Sequence, residues 1–251
     1  MIKKLSKKAS LLSALVLTMA LFAGCSNEKE NQKVADIEVK TIATKELQDK
    51  LSDDSWVVVD TRINDAFNGW KLDEVERGGH IKGAVDFSAN WLTVDSKDKE
   101  KTLDKALETK GIEKDKNIVL YDANGKDAKE VANYLSEKGY KNLYTYNVAD
   151  WAKDESLPME SYENYEMIVP ATIVNDILDG KKPETFENSK NIKIVEASWG
   201  EESEAYSKGH VPTSVHINTD TVEPPPQWML ASDEELAKFA NDYGFTKDDT
   251  V

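Results

Sequence analysis

Asn117-Ile118-Val119-Leu120-Tyr121-Asp122-Ala123-Asn124-Gly125-Lys126-Asp127 is the stretch from which the fold is read. It opens with a short apolar run of the kind that forms a strand buried on both faces of a parallel sheet. Asp122 ends that run. Residues 127–138 then read as a helix, with Ala128, Val131, Ala132 and Leu135 on one face and Gly139 placed to close the end.

Outward from this stretch the pattern repeats. Trp56-Val57-Val58-Val59 is a second buried-strand run, ending in Asp60. Thr44 is placed to cap a helix that runs through Leu51, and residues 142–146 read as another strand. Further on, Lys193-Ile194-Val195-Glu196 echoes the strand before Asp60. Gly209-His210-Val211-Pro212-Thr213-Ser214 echoes Gly79-His80-Ile81-Lys82-Gly83-Ala84. Residues 244–251 echo residues 111–118. The spacings are 136, 130 and 133 residues, so the chain reads as two copies of one unit. Strands that alternate with helical patterns imply an α/β fold, with a mostly parallel sheet flanked by helices in each copy. A polar stretch at residues 154–163, containing Pro158, is the expected linker.

The order of these motifs resembles the rhodanese family. The matching features are a strand ending Val59-Asp60-Thr61-Arg62, then Gly79-His80-Ile81-Lys82-Gly83-Ala84, then a strand that leads through a short loop into a helix. Trp151 resembles the family's closing tryptophan, although the glycines that usually precede it are absent. The resemblance covers about residues 40–251, and the double arrangement looks like that of the tandem thiosulfate and 3-mercaptopyruvate sulfurtransferases. It implies two tandem rhodanese-like domains, at residues 37–155 and 164–251, the second incomplete at its C-terminus. It also implies transfer of sulfane sulfur from thiosulfate or 3-mercaptopyruvate to a thiol or cyanide, with no cofactor and no metal.

That reaction needs a thiolate at the head of a loop whose backbone N–H groups stabilise an anion. In the first copy the loop is Asp122, Ala123, Asn124, Gly125, Lys126 and Asp127, and Asp122 stands at the family's cysteine position. A carboxylate cannot become a persulfide. It would also repel thiosulfate unless protonated or paired with Lys126. The first domain is therefore expected to be non-catalytic. In the second copy the corresponding loop is expected near residue 255, so these 251 residues read as a piece of a longer protein. The rival reading is a non-enzymatic binding module on the same fold.

Other residues have plainer expectations. Asp60 and Arg62, at a strand's C-terminal end, are read as support for the loops around the site. The second copy carries Glu196 and Ser198 there instead. His80 and His210 hold equivalent turn positions and His216 a strand position, with no zinc-ligand spacing among them. Pro224-Pro225-Pro226-Gln227-Trp228 reads as a stiff loop ahead of a helix capped by Ser232 and Glu235.

The amino terminus reads as an address. Lys3, Lys4, Lys7 and Lys8 precede an apolar run at residues 11–22, too short to span a bilayer. Leu21-Phe22-Ala23-Gly24-Cys25 then resembles a bacterial lipobox. The resemblance implies a signal peptide at residues 1–24 and a diacylglycerol thioether on Cys25. Residues 25–36 would be a flexible tether, and the protein would sit outside the cytoplasm on the cell membrane. Cys25 is the single cysteine, so no intramolecular disulfide can form.

Composition sets the remaining bounds. Hydrophobic residues make up 39% of the chain, enough for a packed core. The net charge is −15, which does not suit nucleic acid or a chain lying flat on an anionic membrane. Two Arg, Arg62 and Arg77, stand among 32 basic residues, so bidentate anion clamps are scarce. The expected partners are the membrane, through lipid on Cys25, and a small sulfur-containing anion or thiol acceptor.

Overall fold

Two apolar runs lie side by side at the centre of the computed structural model, which describes residues 38–200 and 204–251. The expected signal peptide, Cys25 and the tether lie outside the described residues. In chain order the elements are β1 Lys40–Thr41, α1 Thr44–Lys50, β2 Trp56–Asp60, α2 Asn64–Asn68, β3 His80–Ile81 and β4 Val85–Asp86. Then come α3 Lys99–Thr109, β5 Asn117–Asp122, α4 Lys126–Glu137, β6 Leu143–Asn147, α5 Val148–Ala152 and β7 Met159–Glu160. The rest is α6 Ala171–Leu178, β8 Asn191–Ile192, β9 Val195–Ser198, α7 Glu204–Lys208, β10 Val215–Asn218, α8 Asp233–Asp242 and β11 Asp249–Thr250.

Five strands form a parallel sheet in the order β1-β6-β5-β2-β4. The fold is thus mixed α/β with a mostly parallel sheet flanked by helices. Alternation along the central strands divides the core in two. Val58, Val119 and Tyr121 pack with Leu47 of α1 and with Val148, Trp151 and Ala152 of α5. On the other face, Val59, Ile118 and Leu120 meet Leu103 and Leu107 of α3 and Ala128, Val131, Ala132 and Leu135 of α4. Each buried Val, Leu or Ile among them contributes roughly 1.5–3 kcal/mol. The register Trp56↔Asn117 through Asp60↔Tyr121 brings the carboxyl ends of β2 and β5 to one edge of the sheet.

Residues 191–250 reuse the same pairings. The register Val59↔Val85 recurs as Val195↔Val215 between β9 and β10. β11 pairs with β8 in parallel, at Asp249↔Asn191 and Thr250↔Ile192. The helix ends match as well. After α3, Gly111 donates to Glu108 O and Ile112 to Leu107 O; after α8, Gly244 donates to Asn241 O and Phe245 to Ala240 O. Both glycines are left-handed, at φ +65° and +66°, as this cap requires.

Four local expectations need correction. Thr44 is the first helical residue and not the cap, which is Ala43. Its hydroxyl is hydrogen-bonded to Tyr146 Oη at 2.9 Å, a tertiary partner that the local sequence cannot announce. The helix expected from Asp127 starts one residue earlier, and the strand expected at 142–146 lies one residue later. Residues 193–196 are not one strand. β8 ends at Ile192 and β9 starts at Val195; between them Lys193 N–H donates to Thr250 O and Ile194 O accepts the N–H of Val215.

Candidate functional site

The loop after β5 folds back on its own first residue. Asp122 is 2% exposed. Its Oδ1 accepts the N–H of Gly125 at 2.7 Å, and Oδ2 accepts the N–H of Asp127 at 2.8 Å and of Ala128 at 3.2 Å. Gly125 makes this turn possible with φ +80°, a left-handed conformation that glycine adopts at low cost. Asn124 Oδ1 accepts the N–H of Lys126 at 3.0 Å. The N–H groups at the head of α4 therefore converge on a carboxylate, a charge-assisted arrangement at the positive end of a helix dipole. The lysine pairing envisaged for Asp122 is absent: its described partners are backbone amides, and the Lys126 side chain is exposed.

Asp127, beside this carboxylate, has its pKa raised, first by burial and then by the charge of Asp122. Ala123 is half-buried and packs against the core on the α5 side of the sheet. Of the loop residues, then, Asp122 alone fills the cradle. Gly125, Asp127 and Ala128 supply its donors through the backbone, and sequence reasoning had not included Ala128.

Asp60 and Arg62 pair with each other rather than with the loop. The Arg62 guanidinium donates from Nε to Asp60 Oδ1 at 3.0 Å and from Nη2 to Asp60 Oδ2 at 2.6 Å. Nη2 also donates to Gly79 O at 2.7 Å, tying the end of β2 to the turn before His80. The two side chains are 1% and 0% exposed. Burial disfavours the guanidinium charge, but the bonds and charge of Asp60 outweigh it and the Arg62 pKa is raised. Thr61 makes the link to the loop strand: its N–H and hydroxyl both donate to Tyr121 O. Burial pushes the Tyr121 hydroxyl well above its usual range, with the Asp60 charge adding to the effect.

Arg77 has an architectural role that the sequence did not signal. It donates to the carbonyls of Trp151, Ala152, Asp154 and Leu157, at 2.8–2.9 Å. It thereby satisfies the orphan acceptors at the end of α5.

The equivalent histidines behave alike. His80 Nδ1 is 2.8 Å from Phe67 O with the two rings stacked, and His210 Nδ1 is 3.0 Å from Tyr206 O in a matching stack. At the end of β9, Ser198 Oγ is hydrogen-bonded to His216 Nε2 at 2.7 Å, where β2 has its Asp–Arg pair. Among the described residues no three His, Cys, Asp or Glu side chains converge as metal ligands.

Residues 43–151 match the Rhodanese-like domain family. The chain is 26% identical, over 245 residues and 98% of its length, to the thiosulfate sulfurtransferase YnjE of Escherichia coli (strain K12), of which it covers 52%. It thus spans about half the length of the curated relative that it matches. It is similar in structure to an EanB variant in complex with ergothioneine, with a TM-score of 0.76 and 30% identity over 85% of this chain and 49% of the other. A crystal structure of an anaerobic ergothioneine biosynthesis enzyme from Chlorobium limicola gives 0.75 and 30%, with the same coverage. The matched family model and the sulfurtransferase relative agree on what the chain is similar to, with a rhodanese-like domain matched at residues 43–151.

Proposed function

Proceeding from a rhodanese-like domain at residues 43–151, we propose that the protein is a sulfurtransferase-type lipoprotein whose first domain does not itself carry sulfur. The whole protein would take sulfane sulfur from thiosulfate or 3-mercaptopyruvate and pass it to a thiol or cyanide. With thiosulfate, a cysteine thiolate attacks the outer sulfur, the S–S bond breaks, sulfite leaves with the bonding pair and a persulfide remains. Cyanide then takes the outer sulfur as thiocyanate and restores the thiolate. Two tandem units, at residues 37–155 and 164–251, form the reading that the repeated registers of β2/β4 and β9/β10 support.

One observation carries the negative half of this proposal. The cradle that would stabilise a thiolate and its persulfide holds the carboxylate of Asp122 on three N–H groups. Carboxylate oxygens have no route to a persulfide, and their charge stands where a sulfur anion would bind. The single thiol of these 251 residues is Cys25, which we assign to lipid attachment at the outer face of the cytoplasmic membrane. The alternative, a surface-anchored rhodanese-fold binding module, draws on the same filled cradle.

The test is thiocyanate formation from thiosulfate and cyanide by residues 26–251. The expected rate equals that of a protein-free blank. A rate above the blank would overturn the assignment of Asp122.

A further inference from the structure

A pocket of about 380 Å³ opens between the turn Ala89–Thr93 and α3. Every residue that lines it lies within 43–151, the matched domain. Trp91, Val94, Leu103 and Ala106 form its apolar wall, and Lys99 is its one charged lining residue. The Trp91 indole is held by the fold itself. Its Nε1 donates to Asn64 Oδ1 at 3.1 Å, Asn64 Nδ2 donates to Asp86 Oδ2 at 2.9 Å, and Lys110 pairs with the other Asp86 oxygen. Lys110 Nζ also lies 5.5 Å from the centre of the Trp91 ring, and Phe87 meets that ring edge-on at 5.4 Å. Asn64 follows β2 and Asp86 ends β4, so the indole is fixed at the carboxyl edge of the sheet, where open α/β folds take ligands.

We propose that this pocket binds a small organic acid, with an aryl-sized apolar body and one carboxylate. The volume sets the size. It lies at the lower end of the range for small-molecule sites, which suits a ligand of about ten non-hydrogen atoms. A helix, about 10 Å across, does not fit. The wall sets the body: an indole beside Val94, Leu103 and Ala106 favours a flat apolar group. The charge sets the head. Lys99 is half-buried, and its one described partner is the neutral Leu92 O. An ammonium has three donors, so two remain for a ligand. A carboxylate would take them in a charge-assisted bond. The other polar lining residues add less. Thr102 directs its hydroxyl to Asp98 O at 3.1 Å, and Ser96 is exposed. No residue of the loop that holds Asp122 lines this pocket, so the proposal stands apart from the sulfur chemistry of the whole protein.

The test titrates nitrogen-15-labelled residues 26–251 with phenylpropionate and, separately, with the neutral phenylpropanol. The Trp91 indole N–H resonance, assigned by its loss in Trp91→Phe, should shift saturably with the acid. The expected dissociation constant is about 1 mM, and the alcohol should bind roughly tenfold more weakly. Lys99→Gln removes the charge and keeps a donor for Leu92 O, so it should bind acid and alcohol alike. Val94→Asp changes an exposed position and puts a carboxylate beside the pocket. It should weaken acid binding at least about tenfold while the spectrum stays that of the folded parent. The proposal is overturned if the acid at about 10 mM causes no saturable shift at residues 91–106. It is overturned equally if acid and alcohol bind the parent alike, or if Lys99→Gln binds the acid as well as the parent does. Saturable shifts confined to residues 228–230 would also overturn it, by assigning the acid to the exposed apolar loop.

Discussion

Residues 79–81 and 209–211 carry the same Gly-His-apolar pattern, and they sit in different surroundings. Ile81 is fully buried, and Val211 at the matching position is 42% exposed. β3 is covered by β7, which pairs with it at His80↔Glu160 and Ile81↔Met159. Among the described residues no strand pairs with residues 210–211. The helices differ in the same way: Leu103 and Leu107 of α3 are buried, while Leu236 and Phe239 of α8 are half-buried. Local pattern thus fixes strand register and helix cap in both regions. Burial comes from the elements that lie across them, and energetic weight should follow burial.

The largest difference should appear at the ends of β2 and β9. Arg62→Ala leaves Asp60 charged and unpaired in the core, at a cost of about 3–5 kcal/mol. Ser198→Ala, at the matching position, removes one part-buried hydrogen bond and should cost about 1 kcal/mol. Urea unfolding midpoints compare the two, and equal shifts would break the comparison. Next come the paired glycines. A Cβ on Gly79, at φ +85°, would stand 2.2 Å from Glu160 O, while one on Gly209 meets nothing within 4 Å. Gly79→Ala should cost about 2–4 kcal/mol, and Gly209→Ala should be neutral or slightly stabilising, as thermal melts can read.

Helix capping should reverse the direction. α8 has a full capping box between Ser232 and Glu235, and α3 has no side-chain cap at Asp98. Ser232→Ala should cost about 1 kcal/mol and Asp98→Ala less than about 0.5 kcal/mol.

The smallest effect is a split in acid response. The Asp249 pKa is lowered, first by the Thr246 N–H and then by Lys193. Its stabilisation is present above its ordinary value and is lost as pH falls through the folded value. The Asp127 pKa is raised, so its contribution is fullest below the ordinary value and declines as pH rises through the folded one. Lowering the pH from about 5 to about 3 should therefore speed hydrogen exchange around residues 246–250 relative to 125–128. Asp249→Asn should remove the acid-labile part.

The sequence made much of this readable, and the limits have physical causes. Apolar runs at 56–59 and 117–121 announced central parallel strands because burial on both faces leaves no polar alternation. Gly139 and Ser232 announced helix ends because those conformations favour few residue types. Thr44 misled because its hydroxyl finds Tyr146, a partner that only the folded sheet brings near. The place of Asp122 in the loop was legible from its spacing. Its capture of the Gly125, Asp127 and Ala128 amides was not, since which way a side chain turns depends on the loop closing around it. Arg77 gave no signal, because its acceptors are backbone carbonyls that carry no sequence code.

The central claim is that the loop after β5 is an anion cradle stopped by its own carboxylate. Asp122→Cys in residues 26–251, incubated with thiosulfate and read by intact mass, tests it most directly. The account predicts that the variant gains one sulfur atom with release of one sulfite, while the parent chain gains nothing. A folded variant that takes up no sulfur, or a parent chain that takes it up, would contradict it.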